Sequence, residues 1–121
     1  MHSILVIGCG SIGERHLRCF QRTGRARVTA CDASLPLLET MAKTYQVATI
    51  GNWEQGMVEN QFDAVIVCTP AHLHVPMAIR ALERGCHLLI EKPLAQSLSG
   101  IDELLRARAR SGRRVSVAYV L

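Results

Sequence analysis

The residues of this chain best suited to chemistry fall in three short stretches and at one isolated acid. The first stretch is Gly8-Cys9-Gly10-Ser11-Ile12-Gly13, a Gly-x-Gly-x-x-Gly spacing. Where such a run leaves a strand and opens a helix, each glycine serves a separate purpose. Gly8 permits the tight turn, Gly10 bares the backbone to an approaching anion, and Gly13 lets the helix pack closely on the strand. The free N–H groups at the helix start face that anion, and the helix dipole favours it. The implied chemistry is diphosphate binding. Asp32 stands 19 residues past Gly13. A carboxylate about 20 residues on can accept hydrogen bonds from the hydroxyls of an adenosine ribose. It would also repel a 2′-phosphate, and the run Ala33-Ser34-Leu35-Pro36-Leu37 has no Arg or Lys to receive one. The pattern predicts a nicotinamide dinucleotide site with NAD preferred over NADP. The other two stretches are Val67-Cys68-Thr69-Pro70-Ala71-His72-Leu73-His74 and Ile90-Glu91-Lys92-Pro93-Leu94, where polar residues follow apolar runs.

These stretches need a scaffold that brings strand ends together. Apolar runs predict strands over 3–7, 27–31, 47–50, 64–68, 87–90 and 115–120. Amphipathic spacing predicts helices over 11–23, 35–45, 53–58, 75–84 and 97–111. Ser34 is placed to cap the second helix, with Pro36 in its first turn, and Ser97 to cap the last. Gly24, Gly85 and Gly112 stand where helices stop. Near-continuous apolar strands alternating with helices mean a parallel sheet covered on both faces. The expected fold is α/β: a doubly wound parallel Rossmann sheet in three layers, with strand order 3-2-1-4-5-6. Ligands of such sheets bind beyond the carboxyl ends of the strands, where all three stretches lie.

Composition agrees with that reading. A chain of 121 residues is one domain, and 49% hydrophobic residues supply its core without disulfide or metal. No metal site is expected. One Trp, two Tyr and two Phe leave the core to Val, Ile, Leu and Ala. The five cysteines are odd in number and include no Cys-x-x-Cys pair, which suits buried thiols in a reducing cytoplasm. The net charge is +4, with Arg106, Arg108, Arg110, Arg113 and Arg114 crowded near the C-terminus. These cations suit a solvated helix face near its C-terminal end, and no aromatic residue interleaves them to stack a base. No nucleic-acid partner is expected. The N-terminal residues read as a strand, not a signal peptide. No apolar run approaches the roughly 20 residues that span a bilayer.

Taken together, Gly8-Cys9-Gly10-Ser11-Ile12-Gly13 with His16, Cys68-Thr69-Pro70 with His74, Gly85-Cys86-His87, and Glu91-Lys92-Pro93 resemble the glucose–fructose oxidoreductase and inositol dehydrogenase (Gfo/Idh/MocA) family over the whole chain. The resemblance implies that the glycine turn, Asp32 and Cys68 belong to the cofactor site. Thr69 and Pro70 would line the dinucleotide groove, and His74, counted with the cofactor residues, would lie near it. Glu91 would contact cofactor on the nicotinamide side. Lys92 would reach both nicotinamide and the substrate hydroxyl, as the catalytic residue. Its ammonium would stabilise negative charge on oxygen as an alcohol becomes a ketone. The family commonly has Asn where this chain has Ala71, so one polar contact of the pattern is missing. Family members continue into a second domain that supplies the substrate pocket, the general base and the oligomer interface. Residues 1–121 are therefore expected to be the cofactor half of a longer, homo-oligomeric dehydrogenase, binding cofactor without turnover when alone.

Other readings stay open. The same turn and acid serve a non-catalytic dinucleotide sensor or regulatory module, since fold does not fix function. Glu91 and Lys92 can be a surface ion pair worth at most about 1 kcal/mol. His74 can be a capping or packing histidine. A methyltransferase shares the first turn and the acid, but needs no third glycine and usually ends in an antiparallel hairpin.

Overall fold

Six strands and five helices alternate along the chain in the computed structural model, which describes residues 1–119. They are β1 (His2–Ile7), α1 (Ser11–Arg22), β2 (Ala26–Cys31), α2 (Leu35–Tyr45), β3 (Ala48–Ile50), α3 (Trp53–Glu59), β4 (Ala64–Val67), α4 (His74–Glu83), β5 (His87–Glu91), α5 (Ile101–Ser111) and β6 (Val115–Ala118). One 3-10 turn, Ala71–Leu73, precedes α4. Every strand pair is parallel, and the order is β3-β2-β1-β4-β5-β6. This is the doubly wound sheet expected from the sequence. The reversal of order between β1 and β4 opens the crevice used by ligands in such sheets.

Side chains of a strand alternate between faces, so one sheet builds two cores. Leu5, Ile7, Val65, Val67 and Ile90 face Ala78 and Leu82 of α4 and Leu104 and Ala107 of α5. Ile4, Val6, Val28, Ala30 and Ile66 face Leu17 of α1 and Leu38 and Met41 of α2. The central strands β1 and β4 carry fully buried residues toward both cores, which explains their unbroken Val/Ile/Leu runs.

The helix ends follow local chemistry. The Ser34 side chain accepts a hydrogen bond from the Leu37 amide at the start of α2, as expected. Gly24, Gly85 and Gly112 all have positive φ after their helices. The last helix differs from expectation: it begins at Ile101, not residue 97. Gly100, at φ 81°, is its N-cap, while the Ser97 hydroxyl accepts from Ser99 N within the preceding loop. A Cβ on Gly100 would stand 3.0 Å from Val75 Cγ1, so packing on α4 holds this turn where a glycine is needed. Residue 120, expected in the last strand, lies outside the described residues.

Candidate functional site

The glycine turn joins β1 to α1 at the carboxyl edge of the sheet. Gly8 has φ 94°, and a Cβ there would lie 2.8 Å from the Cys68 carbonyl carbon. A side chain at Gly8 would therefore force β1 and the end of β4 apart. A Cβ on Gly13 would fall 1.7 Å from the Gly8 carbonyl oxygen, so α1 is seated directly on its own turn. Gly10 differs in kind. It is exposed, and a Cβ there would meet no protein atom within 4 Å. Packing does not require its glycine; open space above the backbone does. Gly10 is also the N-cap of α1 and offers no side chain to the first-turn amides. Bare amides below open space suit a diphosphate. Ser11 and Ile12 are exposed beside them, Ile12 at 43%.

Asp32 follows β2 and is held from two directions. Its Oδ2 accepts from Cys9 N at 2.8 Å, and its Oδ1 accepts from Ser34 N at 2.8 Å. Each oxygen keeps a further lone-pair direction for a sugar hydroxyl. The acid is thus a strut between the glycine turn and the start of α2 as well as a potential ribose partner. Gly8, Gly10, Asp32, Cys68, Thr69 and Pro70 share one cavity of about 560 Å³. Ile7, Cys31 and Ala33 at the strand ends, with Leu37, Gly51, Trp53, Leu73 and Met77, complete its walls. None of these eight was among the site residues expected from the sequence. A signal existed for Trp53, the sole tryptophan, because it lies just past the carboxyl end of β3. A groove of about 590 Å³ beside α4, between His72 and Glu103, contains none of the predicted site residues.

The cysteines around this crevice are neutral thiols. Burial, then the charge of Asp32, pushes Cys9 up to about 11. Burial, then Cys9 and Asp32, pushes Cys31 up to about 12. Burial, then the charge of Glu91, does the same for Cys68, to about 12. Cys9 Sγ lies 3.5 Å from the Cys31 carbonyl oxygen, to which it donates. Cys31 and Cys68 line the cavity and Cys9 is buried beside it, all three as neutral filler and not as nucleophiles.

The nicotinamide-side candidates cluster at the end of β5. Glu91 Oε1 lies 2.9 Å from His16 Nε2 of α1, and Glu91 Oε2 accepts from Lys92 N at 3.1 Å. Lys92 is exposed, and among the described residues its ammonium has no acceptor. The Lys92–Pro93 peptide bond is cis. Glu91 is therefore paired with His16, not with the Lys92 ammonium. Thr69 Oγ1 donates to Met77 Sδ at 3.3 Å, and Ala71 opens the 3-10 turn. His74 opens α4 but is only 1% exposed, and both its ring nitrogens face backbone carbonyls. It stands behind the crevice wall, with neither nitrogen left for a ligand. Arg106, Arg108, Arg110, Arg113 and Arg114 are exposed and contribute nothing to this edge of the sheet. Among the described residues no group of three or more His, Cys, Asp or Glu is placed to hold a metal, and no helix is long and apolar enough to cross a membrane.

Residues 2–119 match the family described as an oxidoreductase family with an NAD-binding Rossmann fold, Gfo/Idh/MocA. Among curated relatives, the inositol 2-dehydrogenase/D-chiro-inositol 3-dehydrogenase of Shouchella clausii is 32% identical over 114 residues, covering 91% of this chain and 33% of that protein. The WlbA dehydrogenase of Bordetella pertussis, solved with NADH and UDP-GlcNAcA, superposes with a TM-score of 0.87 at 24% identity over 96% of this chain and 36% of that one. The biliverdin reductase of Synechocystis sp. PCC 6803, solved with biliverdin and NADP+, gives 0.87 at 23% identity over 95% and 37%. At such identities the two structures speak for the fold. The chain spans about a third or less of the curated relatives it matches. Its sequence, sheet order and glycine turn make it a member of the Gfo/Idh/MocA oxidoreductase family, as the NAD-binding Rossmann domain.

Proposed function

We propose that this chain is the cofactor half of an NAD-dependent dehydrogenase that oxidises a secondary alcohol of a sugar, cyclitol or related polyol. One observation carries the reading: the bare turn at Gly10 and the Asp32 carboxylate face a single cavity at the switch point of the sheet. The α1 amides would hold the diphosphate, and Asp32 the adenosine ribose. The negative charge of Asp32, with no Arg or Lys at 33–37, favours NAD over NADP. Leu37 and Trp53 offer apolar surface on the adenosine side. Bound there, the nicotinamide ring would supply hydride acceptance and donation.

The chain's own residues would do the rest. Lys92, exposed at the end of β5, would donate a hydrogen bond to the substrate oxygen and stabilise charge developing on it. Glu91, tied to His16 and to the Lys92 amide, would border the nicotinamide. The polyol class rests on the inositol dehydrogenase named above. The general base, the substrate wall and the oligomer contacts would come from residues outside this chain, in keeping with the greater length of the relatives.

Titration of the chain with NAD and NADP, together with Lys92→Ala in a full-length enzyme, tests the reading. NAD should bind at least tenfold more tightly than NADP. Lys92→Ala should abolish turnover on polyols while NAD affinity stays within a few fold. Tighter NADP binding would defeat the cofactor assignment. Unchanged turnover would remove Lys92 from the chemistry and favour a binding module.

A further inference from the structure

His74 is the one buried polar side chain among the described residues, and the proposed reaction makes no use of it. Its ring lies between two segments that reach the crevice from different strands. Nε2 is 2.7 Å from the Thr69 carbonyl oxygen, just past β4. Nδ1 is 2.8 Å from the Pro93 carbonyl oxygen, just past β5. The ladder between these strands has its last pair at Val67 and Ile90. Beyond that pair the chains diverge, and among the described residues the His74 ring bridges the gap: a neutral imidazole donates to one of the two carbonyls and only the imidazolium to both, so the tie to Pro93 needs the proton on Nδ1. The segment held at Pro93 is the one that carries Lys92.

We propose that His74 is a positioning residue for the nicotinamide end of the crevice: it holds the Pro93 carbonyl against the end of β4 and so fixes the backbone on which Lys92 is mounted. The inference rests on the reading of Lys92 and Glu91 as the nicotinamide side. His74 acts through Pro93 and touches neither cofactor nor substrate.

Two substitutions separate this role from simple packing. In Asn the amide nitrogen is as many bonds from Cβ as Nδ1 is in His; in Gln it corresponds to Nε2. His74→Asn can therefore keep the tie to Pro93, whereas His74→Gln keeps only the bond to Thr69. Calorimetric titrations of the 121-residue chain and both variants should use ADP-ribose and NADH, which differ by the reduced nicotinamide. Wild type should bind NADH more tightly than ADP-ribose. His74→Asn should keep that margin within about threefold, and His74→Gln should cut it by about fivefold or more, with ADP-ribose affinity held within about threefold in both. Equal behaviour of the two variants, parallel loss of both ligands, or no margin in wild type would overturn the proposal. A wild-type chain that binds neither ligand would instead overturn the dinucleotide reading beneath it. Nitrogen-15 spectra of the wild-type ring give a second check that needs no variant. They should show a slowly exchanging proton on Nδ1; a bare Nδ1 would contradict the tie to Pro93.

Discussion

His16 and Glu91 lie 75 residues apart in sequence, and their side chains meet at 2.9 Å. The contact joins α1, seated on the glycine turn, to the end of β5, where Lys92 begins. The two side chains are about a fifth exposed, so water screens the pair only in part. A double-mutant cycle with His16→Ala and Glu91→Ala should give a coupling of about 1 kcal/mol in urea unfolding. Coupling near zero would mean the two ends of the crevice are set independently.

Gly13 and Gly10 of the turn should separate by mechanism. Gly13→Ala drives a methyl into the Gly8 carbonyl and should cost about 3 kcal/mol or more of stability. Gly10→Ala meets no protein atom and should unfold within about 0.5 kcal/mol of wild type. Only the second variant should remain folded while losing dinucleotide affinity, by tenfold or more in calorimetry. A Gly10→Ala chain that binds normally would move the diphosphate elsewhere.

Asp32 bears on cofactor engineering. Its oxygens carry the Cys9 and Ser34 amides as well as facing the cavity. Asp32→Ala should therefore weaken NAD binding by about 2 kcal/mol, roughly thirtyfold, without creating an NADP site. A variant that binds NADP as well as wild type binds NAD would show that charge alone, and not the strut, governs the site.

The buried thiols predict a pH dependence of known sign. Cys9, Cys31 and Cys68 are held up at about 11, 12 and 12 from an ordinary value of 9.0, chiefly by burial. Below pH 9 they are protonated whether folded or unfolded, and their contribution is constant. Above it the unfolded chain sheds these protons and the folded chain keeps them, so stability falls until the folded values are reached. Each thiol contributes about 1.4 kcal/mol per pH unit over that window. Denaturant midpoints should be flat from these groups below pH 9 and drop steeply above it. Ellman's reagent at neutral pH should modify Cys19, the exposed thiol, first. Rapid reaction of Cys9 or Cys31 would contradict their burial.

The two covered faces of the sheet and the glycine turn were legible because they depend on short-range pattern: near-continuous apolar runs alternating with amphipathic stretches, and glycine at fixed spacing between strand and helix; the strand order came with the doubly wound fold that this alternation implies. The start of α5 was not legible. Ser97 looked like a cap, but the turn is set by Gly100 packing on Val75, a tertiary contact invisible to local spacing. The partners of the site residues were hidden for the same reason. Glu91 beside Lys92 reads as an ion pair along the chain, yet in the fold it reaches back to His16. His74 reads as a groove residue, and the fold turns it inward to two carbonyls. Trp53 lacked a motif, and only the sheet order brings it to the Asp32 cavity.

A crystal of the chain soaked with NAD measures the central claim most directly. The diphosphate should lie over Gly10 within hydrogen-bond distance of the first α1 amides, with the adenosine ribose hydroxyls on the Asp32 carboxylate. Nucleotide bound away from that turn, or a ribose that leaves Asp32 untouched at full occupancy, would contradict the account.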